Sequence, residues 1–399
     1  MTFSLSPGDV VAMTLVPTMS LILIAYILSR LLPVADPDVD TFEKIVDVDA
    51  DTSGTSTLTI VDEELNGDTS GTLADEEIDS DTSRTLALAI EPGDVVGDYS
   101  QPWKDTFDVT FVLLMAVLLF ALVVATLVTT PSLLVSGAFI TALLVKFVAM
   151  TSCSLLGGVI CRRFSTFDED GYVVGSKNGW FRVNYTRKFQ HFAAYMVPIY
   201  FPNPPSISGL IPDLWSNFVT LFCFVILIKP LRTRYNLIML QFISLDRPED
   251  RPHTLKWIVM GNIIPGLTLI VLWRLVFRLT GNNENLCSIF VLITGIGDGL
   301  AEPVGIWLGK HKYKTFAFCS KRKYTRSLEG STCVFMSGMI FPLLQYADFE
   351  TRLQMWICSL LLAPLMTFAE ATAPHTMDTP GLFLVGGSVI LIVLSLTNE

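Results

Sequence analysis

Long apolar runs recur through this chain and decide most of what it can fold into. A helix needs about 20 apolar residues to cross the hydrocarbon core of a bilayer. Hydrocarbon offers no partner to a bare amide, so runs of this length must be helices. The first lies at residues 10–28. Further spans are expected at 109–129, 133–158, 188–202, 208–228, 257–279, 286–308, 328–346, 353–372 and 381–396. The span 188–202 is short and holds Pro198, as a half-helix or re-entrant piece does. The expected fold class is therefore all-α, a polytopic transmembrane bundle of about eight to ten segments. Composition agrees: 51% of residues are hydrophobic and 16% charged, against roughly 25% charged in soluble domains.

The net charge of −11 hides two unlike parts. Residues 34–100 hold 19 of the 38 acidic residues and two basic ones, Lys44 and Arg84, and so carry −17. The rest, with 25 basic and 19 acidic residues, carries +6. The acidic part contains a degenerate repeat, DTSGT at 51 and 68 and DTSRT at 81. So polar a stretch buries too little apolar surface to offset its ordering entropy, and a disordered insert is expected. Three units follow: an N-terminal membrane helix at 1–33, the acidic insert at 34–107 and a polytopic domain at 108–399. The first basic residue is Arg30, whereas signal and transit peptides open with basic residues, so 10–28 reads as a membrane helix. Seven scattered cysteines form no C-x-x-C pair and suggest neither a zinc site nor a disulfide framework.

Loop charge orients the polytopic domain. The loops at 161–188, 229–256 and 309–327 carry 19 basic residues; the alternate loops hold only Arg274, Arg278 and Arg352. By the positive-inside rule the three basic loops share one face, cytoplasmic or stromal. An endoplasmic reticulum or plastid membrane is expected.

Four polar clusters fall on that face. In GIGDGLAEPVG at 295–305, Asp298 and Glu302 are four residues apart and share a helix face. Carboxylates in an apolar span are costly and mark functional sites. As a pair near a mouth they suit Mg²⁺, which takes one or two carboxylates plus substrate phosphates. Gly297 and Gly299 let backbone approach a ligand closely; the competing reading is a glycine-mediated helix contact. Next, GKHKYKT and SKRKYTRSLEGS place seven basic residues in 17 positions, from Lys310 to Arg326. They form an anion-binding surface. Ser327, Glu329, Gly330 and Ser331 stand at the threshold of the next helix, where free N–H groups favour phosphate. Lys310, His311, Lys312 and Arg326 would join them around a nucleotide triphosphate. The third cluster, RKFQH, puts Arg187 and His191 one helical turn apart with Lys188 between them. The fourth, EATAPHTMDTPG, supplies Glu370, His375 and Asp378.

No Walker A string, G-x-S-x-G elbow or H-E-x-x-H is present. Nucleic-acid binding is not expected, because the basic residues lack interleaved stacking aromatics.

The strings GDGLAEPVGIWLGKHKY and SLEGS, with RKFQH upstream, resemble the dolichol kinase and phytol kinase family of CTP-dependent polyprenol kinases. The likeness covers about 185–381; the family often has Asp-Asn where this chain has Asp378-Thr379. It implies phosphoryl transfer from CTP to the hydroxyl of a membrane lipid alcohol. Asp298 and Glu302 would hold Mg²⁺. Lys310, Lys312 and the turn 326–331 would hold the triphosphate. Arg187, Lys188 and His191 would neutralise the transferred group, with Asp378 or Glu370 as base or second metal ligand. The closest alternative is CTP:phosphatidate cytidylyltransferase, whose late K-R-x-x-x-x-K-D and H-G-G-x-x-D-R strings are absent here. A transporter is the remote alternative, but no inverted repeat is visible.

Overall fold

The computed structural model describes residues 106–207, 209–317, 323–374 and 377–397. The expected helix at 10–28, the acidic insert up to residue 105 and His375 lie outside them. The described chain is mostly helical. Its helices are α1 (Thr106–Thr129), α2 (Gly137–Phe164), α3 (Val183–Tyr200), α4 (Leu210–Val225) and α5 (Asn236–Ile243). They continue as α6 (Thr254–Leu279) and α7 (Glu284–Trp307), then α8 (Leu328–Leu344), α9 (Arg352–Thr372) and α10 (Asp378–Thr397). Six of these, α1, α2, α6, α7, α9 and α10, are long and apolar enough to cross a membrane. On α1 the side chains of Leu113, Val117, Phe120 and Val128 are all more than half exposed. A helix that is apolar all round suits a hydrocarbon surround.

The all-helical expectation needs one correction. Two short antiparallel hairpins stand in basic loops: β1 (Ser165–Phe167) with β2 (Val173–Ser176), and β3 (Lys312–Phe316) with β4 (Lys323–Ser327). In the second hairpin Tyr313 lies opposite Arg326. The period-two alternation of a strand turns Tyr313 inward, 5% exposed, while Phe316 faces out at 70%. The helix expected at 188–202 begins earlier, at Val183, so RKFQH belongs to its early turns.

Two cores hold the bundle. One joins α6 to α10 through Phe277, Phe290, Ile293, Val334, Met366 and Ile390. The other joins α1, α4, α5 and the start of α6 through Phe111, Leu221, Phe224, Phe242 and Val259. Helix α6 thus belongs to both, its early turns to one and its last to the other. In a smaller cluster, Ala193 and Val197 of α3 meet Met150 of α2. Two helices carry π segments, Trp257–Ile263 in α6 and Ile293–Asp298 in α7. Such segments widen the turn and often mark functional sites.

Candidate functional site

The site begins where α3 meets α7. On α3, Lys188, His191 and Tyr195 recur at i, i+3 and i+7 and share one face. On α7, Asp298 ends the π segment and Glu302 follows one turn later. Lys188 Nζ donates to Asp298 Oδ2 at 3.0 Å and stands 4.0 Å from Glu302 Oε2. His191 Nε2 is 3.1 Å from the Thr294 carbonyl and 3.6 Å from Asp298 Oδ2. A carbonyl only accepts, so Nε2 carries the proton.

The glycines do a different job from the expected one. A methyl group on Gly297 would come within 2.9 Å of the Ser337 side chain on α8. One on Gly299 would meet Phe192 of α3 at 2.8 Å. Both let helices approach each other, as the competing reading of the glycine string expects.

A second layer comes from the loop after α5, which counted in the sequence only as loop charge. Arg247 Nη1 donates to Glu302 Oε1 at 3.3 Å, and Asn184 Nδ2 donates to the same oxygen at 2.6 Å. Asp250 accepts from Arg187 at 2.6 Å and from Arg247 at 2.8 Å. Next to them Asp246 accepts from Arg251 and Thr254. The run DRPEDR at 246–251 was the available signal: charges of both signs, more than a membrane-facing loop needs.

The β3–β4 hairpin delivers a third layer. Arg326 Nη1 is 3.0 Å from Glu370 Oε1, and its Nη2 donates to the carbonyls of Glu370 and Ala373. The hairpin is thereby tied to the end of α9. Burial works against the Arg326 charge, but Glu370, Asp298 and Asp378 outweigh it and hold its pKa above the usual value. Burial also pushes the Tyr313 phenol up, so it stays neutral beside Ser331 Oγ at 2.6 Å.

At the start of α8, two backbone N–H groups of the expected phosphate cradle are engaged within the protein. Leu328 N donates to the His311 carbonyl, and Gly330 N to the capping Ser327 Oγ. His311, 73% exposed, pairs with Glu329 at the hairpin base. Lys310 is exposed. Lys310, His311 and Glu329 line none of the three cavities described next.

Three cavities run through this end of the bundle and below it. The innermost, about 60 Å³, is lined by Arg187, Lys188, His191, Asp298, Glu302 and Asp378, among others. Towards the hairpin lies one of about 210 Å³, walled by Lys312, Arg326, Ser327, Gly330 and Ser331. The two share Glu302, Arg326 and Glu370. On the other side lies a chamber of about 510 Å³, with apolar side chains of α3 and α6 on its walls and polar ones of α4, Asp213, Ser216, Asn217 and Thr220, facing them. It shares Ala194, Tyr195 and Ile263 with the innermost cavity. At that seam Tyr195 Oη is 2.8 Å from Thr379 Oγ1. Asp378 opens α10 beside it and accepts from Thr379 N at 2.8 Å, a favourable place for a carboxylate on the helix dipole. Among the described residues no three His, Cys, Asp or Glu side chains form a group able to hold a metal ion.

Comparison of the chain with protein-family models, curated proteins and solved structures finds no match.

Proposed function

We propose that this chain is a membrane-embedded kinase that moves the γ-phosphoryl group of CTP onto the hydroxyl of a lipid alcohol. One observation carries the reading: a small cavity ringed by charge lies between a polar cavity that holds Lys312 and Arg326 and a larger, more apolar chamber, sharing walls with each. That order matches a transfer between a polyanion and an amphiphile. Phosphoryl transfer asks for positioning and charge neutralisation more than covalent chemistry. A transporter needs no such asymmetry. The bundle would span the membrane with the hairpin side on the cytoplasmic or stromal face.

In this reading the triphosphate occupies the cavity beside Lys312 and Arg326, against Ser327 and Ser331. Lys188 and Arg187 meet charge on the transferred group. The alcohol oxygen attacks the γ-phosphorus, and the bond to the β-phosphate oxygen breaks. The alcohol proton passes to Asp378, leaving CDP and a lipid monophosphate. Asp378 suits the base better than Glu370, whose carboxylate is held by Arg326. His191, with its Nε2 proton directed to Thr294, orients the α3–α7 contact.

Mg²⁺ fits these residues as an ion brought in with the nucleotide, not as one held in a protein cage. Lys188 engages one oxygen of Asp298, and Glu302 is the only carboxylate one turn away. An octahedral ion would complete its shell with phosphate and water. When bound it neutralises charge on the transferring phosphates.

The test uses purified full-length protein, CTP labelled at the γ-phosphate and a panel of lipid alcohols plus phosphatidate. Label in an organic-soluble lipid monophosphate supports the kinase. Label released as pyrophosphate, with phosphatidate alone, replaces it with the cytidylyltransferase.

A further inference from the structure

Tyr195 of α3 stands where the charged cavity meets the larger chamber, and it lines both. Asp378 and Thr379 of α10 line the charged side beside it. These side chains are held in place from behind. The Tyr195 ring lies 4.6 Å from the His191 ring and 6.2 Å from that of Phe383, centroid to centroid. The Thr379 methyl sits against Gly266 of α6, where an added Cβ would come within 2.8 Å of it. With the methyl seated there, Thr379 Oγ1 turns to Tyr195 Oη at 2.8 Å. Asn262, in the π segment of α6, accepts from the Thr379 N–H at 3.4 Å.

Counting protons leaves one over. Each hydroxyl carries one O–H donor and can also accept. The pair uses one O–H within itself, and neither oxygen has a second hydrogen-bond partner among the described residues. One O–H, of Tyr195 or of Thr379, is therefore left without an acceptor. Asp378 lacks the complement. Its Oδ1 accepts from the Thr379 N–H, and its Oδ2 has no hydrogen-bond partner among the described residues. Thr379 is 3% exposed and Asp378 8%, and polar groups buried without partners are costly. A primary alcohol answers both needs, because its oxygen accepts while its O–H donates. A carboxylate or phosphate would accept from the pair but repel Asp378. Ala194 and Ile263 line both spaces with Tyr195, and offer an apolar wall to the carbons next to that oxygen.

We infer that Tyr195 and Thr379 recognise the acceptor: their remaining O–H donates to the oxygen of a primary lipid alcohol whose own O–H is directed at Asp378. The inference rests on the proposed function for its reaction but not for its binding. Neither residue stands out in the sequence, because their hydroxyls meet only when α10 packs against α3.

The experiment measures binding and turnover separately, on the full chain in nanodiscs. Binding is read without nucleotide, as displacement of tritiated hexadecanol by unlabelled hexadecanol and by heptadecane, which carries a methyl group in place of the hydroxyl. The readout is the ratio of the two affinities, each expressed per mole of nanodisc lipid. Tyr195→Phe with Thr379→Val removes both hydroxyls and keeps both shapes. The ratio should favour the alcohol in the unaltered protein and fall about tenfold in the double variant, as loss of a buried hydrogen-bond donor predicts. A pair that only ties α3 to α10 would weaken both ligands alike and leave the ratio where it was. The single variants locate the donor, and serve if the double variant does not fold: one of them should lower the ratio as the double does. Thr379→Ser, which keeps the hydroxyl, should hold it. An unchanged ratio in the double variant, or in both single ones, overturns the inference. Turnover is read with γ-labelled CTP and hexadecanol on the same proteins. A ratio that falls as expected, with no turnover in any protein, upholds the recognition site and removes the kinase. Turnover with an unchanged ratio does the reverse.

Discussion

Two charged networks stand at opposite ends of one apolar chamber, and they are built differently. At the α3–α7 end, Arg187, Lys188, Arg247 and Arg326 face Asp250, Asp298, Glu302, Glu370 and Asp378, gathered from both cores of the bundle. Those groups surround a space. At the far end, Lys146, Asn203, Asp213 and Arg274 form one line of donors and acceptors that runs from a buried lysine to a half-exposed ion pair. Both networks sit among apolar helices, where charge is expensive. A buried ion pair is by itself weak evidence for stability or function. What separates these two is whether the charges enclose room for a reactant. The near end should therefore govern chemistry and the far end helix packing.

The largest effect that would break this contrast is at Glu370. Its carboxylate and Arg326 are 3.0 Å apart, with side chains 3% and 12% exposed. Removing one partner of a buried pair costs about 3–5 kcal/mol. Glu370→Gln should lower the unfolding temperature of the purified protein sharply and weaken the tie between the β3–β4 hairpin and α9, leaving the Arg326 bonds to the Glu370 and Ala373 carbonyls. An unchanged unfolding temperature would mean the hairpin is anchored elsewhere.

Asp298→Asn tests the chemistry of the same end. The substitution keeps size and removes the charge opposite Lys188. Loss of one preorganised electrostatic contact lowers turnover by about 10²–10³-fold. Labelled-CTP transfer per folded molecule should fall by that much, and the unfolding temperature should fall too, because Lys188 loses a buried partner at 3.0 Å. Full activity in Asp298→Asn would end the assignment of this cavity as the reaction centre.

The two ends also differ in how far the sequence reveals them. Asp298 and Glu302 are four residues apart in one apolar run, and Arg187, Lys188 and His191 lie within five positions; local spacing exposes both. The helices were legible for the same reason, since each apolar run carries its own signal. The charged partners in the 246–251 loop come into register only when α5 folds back towards α3, so spacing could not announce them. Lys146, Asn203, Asp213 and Arg274 come singly from four elements and show no pattern at all. The hairpin at 312–327 was hidden by its lysines, which read as loop charge although Tyr313 and Arg326 alternate as strand residues do. The glycines were visible but ambiguous, because a glycine that admits a ligand and one that admits a helix look alike in sequence.

Gly297→Ala sharpens that ambiguity. The added methyl would press on Ser337 and the backbone of Val334 on α8, a neighbour with little room to yield. Overpacking of this kind costs about 1–3 kcal/mol. The expected result is a lower unfolding temperature with the affinity for CTP unchanged in the protein that remains folded. Weaker CTP binding at unchanged stability would return Gly297 to the nucleotide site.

The far end offers a smaller test within itself, by setting a buried cation against an exposed one. Lys146→Met leaves the Asn203 and Ser216 oxygens without their buried donor, a loss of about 1–3 kcal/mol. Arg278 pairs with Glu284 at 2.7 Å, but the side chains are 57% and 38% exposed. Exposed pairs contribute about 0–1 kcal/mol, and salt screens them further. Arg278→Ala should therefore shift the unfolding temperature least of all, and by less still at high salt. Equal destabilisation by Arg278→Ala and Lys146→Met would mean that burial does not separate these two cations, although one is 3% exposed and the other carries a side chain 57% exposed.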